Sequence, residues 1–462
     1  MSDQALLIPT RPPVPSTALS MPRFLRAVRT NALSMWPDAA YEKDHLRQKF
    51  FGRTRLLVNQ PEAIHRVLVE NAGNYRRTAA SVRILRPITG NGLLLSEGDD
   101  WRLQRRTVAP ALAPRVMPML SRHIVAGAER AVARLTAAAD APIDLLAAMQ
   151  STALDIAGRS MFSLEMAQYG DAMRAELNRY AVDYAKPHLL DMLLPLRVTS
   201  PRDYGRRRFQ RDWMALIGTI MDARLRAPPS DVPRDLFDLL LAARDPETGE
   251  GFTRDQLRDQ VATLILAGHE TTAVTLFWAL TLLAQAPGEQ EAVAAEAAGV
   301  EFGADAAAPT PAALPRTRAV ISETLRLYPP AYTLVRQANA ADRIGSIDVP
   351  AGALILIAPW LLHRHRRLWR DPDAFDPSRF MPGAPPPARF SYLPFGTGPR
   401  VCVGAQFALA EATLVLGALV RAFAVTLTDR RPIVPVGTIT TQPDHAPLFR
   451  LRARQAGVPG DG

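Results

Sequence analysis

The chain has 462 residues, 48% hydrophobic and 22% charged, with Lys+Arg 55 against Asp+Glu 45 for a net charge of +10, nearly all of it arginine. That is an ordinary globular composition with ample core material, and its one cysteine rules out an intrachain disulfide, so nothing points to an oxidising compartment. The positive balance suits an acidic partner or an anionic surface. No zinc spacing, phosphate loop or aromatic-interleaved basic run supports nucleic acid, and Met1 to Ser20 lacks the apolar core of a signal peptide.

In chain order, residues 1–18 read as an irregular arm, with Arg11-Pro12-Pro13-Val14-Pro15 at its centre. A helix is expected from Met21 to Trp36. Its Phe24, Leu25, Val28, Leu33 and Met35 stand among arginines and pack against the chain's own body rather than lie on a membrane. Leu46 to Phe51 and Arg53 to Val58 read as a strand pair, and Pro61 starts a helix running through Leu68. From Gly73 to Gly98 the chain reads as a long irregular loop, the kind that is usually functional.

Helical signals resume at Asp100-Trp101 and run to Gly303, broken near Pro114, Pro142, Gly170, Pro195–Pro201, Pro228–Pro233 and Pro287. Ala-rich 289–314 reads as a surface helix followed by a Pro-broken loop. After Pro329-Pro330 short apolar runs alternate with turns: Thr333–Val335, Ala353–Ala358, Ala424–Leu427 and Leu448–Leu451, which suggests small sheets. One clear helix, Val403 to Phe423, interrupts them. Length alone allows two or three domains, yet no repeat or clean boundary appears.

The most informative stretch is Phe395-Gly396-Thr397-Gly398-Pro399-Arg400-Val401-Cys402-Val403-Gly404, which runs into an Ala/Leu-rich helix. The sole cysteine thus stands where free backbone N–H groups and the positive end of a helix dipole favour a thiolate. The glycines let a flat, bulky partner approach the backbone, and Arg400 offers that partner's acidic group a cation. A lone cysteine or a Gly-rich turn would each be unremarkable by itself.

Three further constellations stand out. The longest helix, about Thr253 to Ala286, has no uninterrupted apolar run of the ~18 residues that a membrane span needs, because Gly268-His269-Glu270-Thr271-Thr272 interrupts it. Gly268 and Thr271 can loosen the local hydrogen-bond ladder, leaving a hydroxyl and the Glu270 carboxyl in a polar notch. Glu323 and Arg326, i and i+3 on the helix Arg316 to Leu327, would by default form a surface pair worth a few tenths of a kcal/mol. Trp101 and Arg105 are a common helical spacing and say little alone.

Together these stretches resemble the cytochrome P450 family over roughly Met21 to Leu451: Phe-x-x-Gly-x-Arg-x-Cys-x-Gly at 395–404, Ala267-Gly268-His269-Glu270-Thr271, Glu323-x-x-Arg326 with Pro377-Ser378-Arg379-Phe380, and Trp101-x-x-x-Arg105. The resemblance implies a mainly α fold with small β-sheets, a single domain over 1–462, holding haem b between the long helix and the Cys402 helix. Cys402 would be the axial iron ligand, framed by Phe395 and Gly404, with Trp101, Arg105, Arg336 and Arg400 on the propionates. Thr271 would act in oxygen activation and Glu270 in the proton relay. Glu323, Arg326 and Arg379 would form a buried structural network. Pro399, Ser378 and the basic Arg364–Arg367 depart from the family's pattern without touching the chemistry.

The activity so implied is monooxygenation: one atom of O2 enters an apolar small molecule, a fatty acid, terpenoid or similar lipophile, and the other leaves as water. The pocket would be lined by Ile84, Leu85, Ile88, Leu264, Ala267, Tyr332, Leu334, Val335 and Ile439. With no flavin or nicotinamide motif, electrons would come from a separate ferredoxin or flavodoxin and its NAD(P)H reductase, docking on Arg364, Arg366, Arg367 and Arg370. A cytoplasmic monomer without a membrane anchor is expected. Two alternatives compete: an H2O2-driven peroxygenase, whose relatives typically carry Arg-Pro where Glu270-Thr271 stands, and a haem gas sensor or carrier, which needs no relay.

Overall fold

The computed structural model describes residues 6–138, 141–163, 169–226, 228, 230–302 and 311–454. Helices are its main element: α1 (Met21–Thr30), α2 (Pro61–His65), α3 (Ala79–Thr89), α4 (Gly98–Val108), α5 (Met117–Ala137), α6 (Leu145–Phe162), α7 (Gly170–Asp183), α8 (Leu189–Leu193), α9 (Pro201–Leu225), α10 (Leu236–Ala242), α11 (Arg254–Gln285), α12 (Pro287–Ala298), α13 (Pro315–Leu327), α14 (Pro359–Leu362) and α15 (Ala405–Ala422). The strands are short: β1 (His45–Phe50), β2 (Arg53–Val58), β3 (Tyr75–Arg76), β4 (Ile143–Asp144), β5 (Leu334–Ala338), β6 (Asp342–Ile344), β7 (Ile347–Val349), β8 (Leu354–Ile357), β9 (Phe423–Leu427), β10 (Pro435–Gly437), β11 (Thr441–Pro443) and β12 (Leu448–Ala453). They form a sheet in the order β1-β2-β8-β5-β3, a sheet β4-β12-β9, and two hairpins, β6-β7 and β10-β11.

The long helix α11 organises the rest. Thr253 and Gln256 cap its start reciprocally, each side chain taking the other's backbone N–H, and Pro287 opens the next helix just past its end. Helices α6, α13 and α15 pack on it. Its C-terminal half is anchored by Trp278, which stacks on Tyr328 with ring centroids 4.0 Å apart and donates its indole N–H to Thr441 O. By length and composition α11 and α15 could each cross a membrane, but two thirds of each apolar window is buried inside the protein. Their apolar surface is therefore spent on the core. A second, smaller apolar cluster lies between α2 and the five-stranded sheet.

The strand pair, the long helix and the Cys402 helix form as the sequence predicts, and the described part of the N-terminal arm, residues 6–18, is irregular apart from a bridge between Leu7 and Phe375. Two segments differ. The Met21–Trp36 helix stops at Thr30, where Asn31 turns extended and caps a separate 3-10 turn, Ala32–Met35, through its side chain. The Gly73–Gly98 loop contains α3. Thr78 caps it, Pro87 falls in its last turn, and Gly90 at φ +58 ends it. The Pro87 and Gly90-Asn91-Gly92 signals, which look like loop chemistry, are the helix's own stop. The Pro-broken loop after α12 falls largely on 303–310, outside the described residues.

Candidate active site

Cys402 lies in the turn before α15. Its backbone N–H donates to Phe395 O at 2.9 Å and that of Val401 to Gly398 O at 3.0 Å, closing the loop on itself. Gly396 (φ +70) and Gly398 (φ +72) take a left-handed backbone, and a side chain on Gly398 would collide with the carbonyl of Leu68. Cys402 is solvent-accessible, although protein surrounds most of it. Burial pushes its thiol pKa up, against the opposing pull of the Gly404 N–H and Arg105. The helix terminus alone therefore does not make the thiolate. A metal ion would, since a coordinating thiol is deprotonated outright.

On α11, Leu264, Ala267, Gly268 and Thr271 follow the i, i+3, i+4, i+7 spacing of one helix face. Ile265, His269 and Thr272 beside this face are buried, as is Val261 one turn earlier on it, yet Ala267 is exposed and Leu264, Gly268 and Thr271 are partly so. An open stripe in the middle of a core helix means that it borders an internal gap. Thr271 Oγ1 donates to Ala267 O at 2.6 Å, the back-bonding that loosens a helix at such a notch. Glu270 points elsewhere: its carboxylate accepts from Gln150 at 3.3 Å, from Thr440 at 3.4 Å and from Gln442. Helix α11 meets α15 at Thr272, whose Oγ1 lies 3.3 Å from Glu411, bringing the open stripe near the cysteine loop.

A group of arginines borders that loop. Arg400 stacks over Trp101 at 4.5 Å, donates to Ser96 O and pairs with Glu97; Arg105 of α4 donates to Val401 O at 2.8 Å, one residue from the thiol. Arg77, which sequence reasoning did not single out, interacts with Arg336 and Arg400. Burial, reinforced by those two cations, pushes its guanidinium down to about 9, and burial likewise pushes Arg336 down to about 10. Arg77 Nε is buried without a partner. Glu97 is the carboxylate that faces these three cations. A desolvated, charge-deficient pocket of this kind needs anionic ligands, and two propionates beside a thiol meet that need. The residues present thus fit a haem. Arg77, Arg336, Arg400 and Arg105 could hold its acidic edge and Cys402 its iron.

A cavity of about 1250 Å³ opens from this region towards α1, the β1–β2 tip and residues 192–197. Ile84, Tyr332, Val335 and Ile439 line it as expected. Leu85, Ile88 and Leu334 do not. Helix α3 turns Leu85 off the cavity face and buries Ile88 in the core, where its carbonyl accepts from Trp213, and the two-residue alternation of β5 puts Val335 on the cavity and Leu334 on the other face. A loop reading of 73–98 could not assign these faces. Leu264 and Ala267 belong to the open stripe of α11 rather than to this wall. Phe24, Val28, Phe50 and Leu193 also line the cavity and escaped the sequence reading.

Below the cysteine loop, Arg326 is fully buried and pairs with Glu323 through two bonds of 2.7 Å, and its remaining donors reach the carbonyls of His363, Pro372 and Ala374. Arg379 Nε lies 3.6 Å from Glu323. His363, unremarked in the sequence, links this network to the loop: its Nε2 accepts the Leu393 N–H at 2.8 Å, so Nδ1 carries the proton it shares with Arg326 O. The expected docking cluster is not one surface. Arg364 is buried, stacked 3.7 Å over Trp360, while Arg366, Arg367 and Arg370 are exposed and paired with Asp38, Asp44 and Asp371.

A thiol before a helix, a cationic cradle and an open stripe on a core helix define a haem-thiolate protein. The chain belongs to the cytochrome P450 family, whose model matches residues 35–446. It is 36% identical over 373 residues to cyclooctatin synthase of Streptomyces melanosporofaciens, spanning 78% of each chain. Cyclooctat-9-en-7-ol 5-monooxygenase of the same organism is 32% identical over 339 residues, 72% of each. The crystal structure of a cytochrome P450DA heme domain shares the fold, with a TM-score of 0.77 at 23% identity over 89% of this chain and 90% of that one. The protein is therefore a P450 monooxygenase: it uses a haem iron, O2, a lipophilic substrate and a redox partner.

Proposed function

We propose that the chain oxygenates a fatty acid, terpenoid or similar lipophile, with haem b held through Cys402 and electrons delivered by a separate ferredoxin or flavodoxin and its NAD(P)H reductase, as a monomer in the cytoplasm. The relatives' names favour a neutral alkenol or a kindred terpenoid over a fatty acid. The observation that carries the reading is Thr271, a hydroxyl on the open stripe of a core helix. The bound haem thiolate supplies oxygen cleavage. Thr271 holds a proton-donating water at the gap, and its bond to Ala267 O fixes the hydroxyl's direction. Glu270, beside it in sequence and held by Gln150, Thr440 and Gln442, is the carboxyl that resupplies protons through water. Apolar walls from Val82, Ile84, Val335, Leu356 and Ile439 exclude bulk water and orient the substrate.

The redox partner is an acidic protein, and Arg364 has no part in its docking. The test is turnover of a lipophile library by the haem-loaded chain with a surrogate ferredoxin, its reductase, NADPH and isotopically labelled O2. Labelled product is expected. Product formed with H2O2 alone would mark a peroxygenase instead, and haem binding without product under either condition would mark a sensor or carrier.

A further inference from the structure

One buried cation on the cavity wall has no countercharge. Arg55 of β2 is 8% exposed, and it lines the cavity in one row with its neighbours across the sheet, Leu354 of β8 and Gln337 of β5. Among the described residues two atoms accept from its guanidinium, and both are neutral: Gln48 Oε1 on the paired strand at 3.2 Å and Met35 Sδ at 3.7 Å. The rings it lies over are neutral too, with centroids at 4.7 Å for Phe24 and 5.0 Å for Trp36. A guanidinium carries five N–H donors, so most of them are left for something else. Burial pushes Arg55 down to about 10, and no acidic group pulls the other way.

The other buried arginines show what is missing. Arg83, Arg206, Arg224, Arg326 and Arg364 each lie between 2.6 and 3.6 Å from a carboxylate. Arg336 belongs to the cradle that fits the acidic edge of a haem, and Glu97 acts on it. Arg55 stands apart from that cradle, at the end of the cavity formed by α1 and the β1–β2 tip. Taking a cation out of water without a countercharge is costly. For packing alone, an apolar side chain among Phe24, Met35 and Trp36 would be the better choice.

We propose that Arg55 anchors the acidic head of the substrate, which is a lipophilic carboxylic acid lying with its head at β2 and its tail towards the haem side of the cavity. The planar fork of a guanidinium matches a carboxylate in two parallel bonds. Phe24, Met35 and Phe50 line the same end of the cavity and surround the ion pair with apolar surface, which strengthens it. With the head held at that end, oxygen enters the tail rather than the positions next to the carboxyl group. The class differs from the neutral alcohols that the relatives' names favour, and the proposal rests on the reading of this cavity as the substrate site.

The test is calorimetric titration of the haem-loaded full chain with two matched pairs, farnesoic acid beside farnesol and dodecanoic acid beside dodecanol. Each acid is expected to bind roughly tenfold tighter than its alcohol, and Arg55→Gln to bring the acids to the level of their alcohols. Equal binding of acid and alcohol by the wild type would overturn the anchor and leave the lipophile reading of the cavity standing. Failure of all four ligands to bind would overturn both. A preference that survives Arg55→Gln would move the anchor to another cation, such as the exposed Arg53 on the same wall, and overturn the proposal. Should Arg55→Gln not fold, Arg55→Lys serves instead: it keeps the charge and loses the fork. It must weaken the acids selectively, and unchanged acid binding would overturn the proposal.

Discussion

Two arginines hold the two sides of the site by the same chemistry in different solvent. Arg326 beneath the cysteine loop meets Glu323 and three carbonyls, and neither side chain has any contact with water. Arg83 above the cavity meets Asp203 and three carbonyls too, but these belong to a loop that lies in water. When a buried pair loses one member the other keeps its full desolvation cost, whereas an exposed carbonyl finds water at once. The Arg326 network, the floor of the site, is therefore costly to break, while the carbonyls that Arg83 gathers at the roof lie on a loop whose residues 195–199 are exposed.

The largest effect should come from breaking the floor. Glu323→Gln leaves Arg326 buried without its countercharge and is expected to cost about 3–5 kcal/mol, seen as a lower urea midpoint and poor haem loading. A loss under about 1 kcal/mol would mean that the network does not carry the floor.

The next change touches neither side. Thr271→Ala places the best helix former in a core helix, so fold, haem content and substrate-induced spectral shift should stay near wild type. Product per NADPH should fall by about tenfold or more, with H2O2 taking its place, and iodosylbenzene as oxygen-atom donor should restore product. Full coupling in the variant, or failure of the rescue, would remove Thr271 from proton delivery.

Titration sharpens the comparison further, because His363 of the floor and Glu411 of α15 are shifted in opposite directions. Burial, with Arg326 and Arg364 nearby, pushes His363 from 6.5 down to about 3. Between those values the unfolded chain binds the extra proton, so stability falls as pH drops. Burial pushes Glu411 up from 4.5 to about 8. Over that range the folded chain holds the extra proton, so stability falls as pH rises. Each slope is about 1.4 kcal/mol per pH unit. They cancel between 4.5 and 6.5, leaving a plateau with a fall on either side. Urea titrations across pH should show it, and Glu411→Gln should flatten the alkaline limb. An unaltered alkaline limb in that variant would assign it to other groups.

The smallest effect belongs to the surface. Arg366→Ala removes an exposed pair with Asp38 and should cost no more than about 1 kcal/mol. Arg364→Ala should cost more in the same urea titration, since it removes a buried cation stacked on Trp360.

The pairing of Glu323 with Arg326 was legible in their spacing, but their burial was not: the spacing alone reads as a surface pair, and only the family resemblance implied a buried network; the roof was not legible at all, for a physical reason. Glu323, Arg326 and Cys402 stand at short, fixed spacings on or beside single helices, so sequence distance sets spatial distance. The roof is assembled from parts far apart in the chain: Arg83 reaches residues more than a hundred positions away. The Pro and Gly residues that end α3 also made that helix look like a loop, which hid the face that Ile84 shows to the cavity and Ile88 does not. Arg77 and His363 were missed for a related cause. Each gains its meaning from burial beside charges or backbone supplied by other segments. Arg364 was misplaced because a run of arginines looks like a surface until one of them stacks on a core tryptophan.

Everything above turns on Cys402 as the proposed iron ligand. The most direct measurement is the absorption spectrum of the reduced, CO-bound, haem-loaded chain beside that of Cys402→Ser, a clean comparison because Cys402 is the only thiol. A strongly red-shifted Soret band in the wild type that disappears in the variant is the expected result; a band that survives the loss of Cys402 would contradict the account.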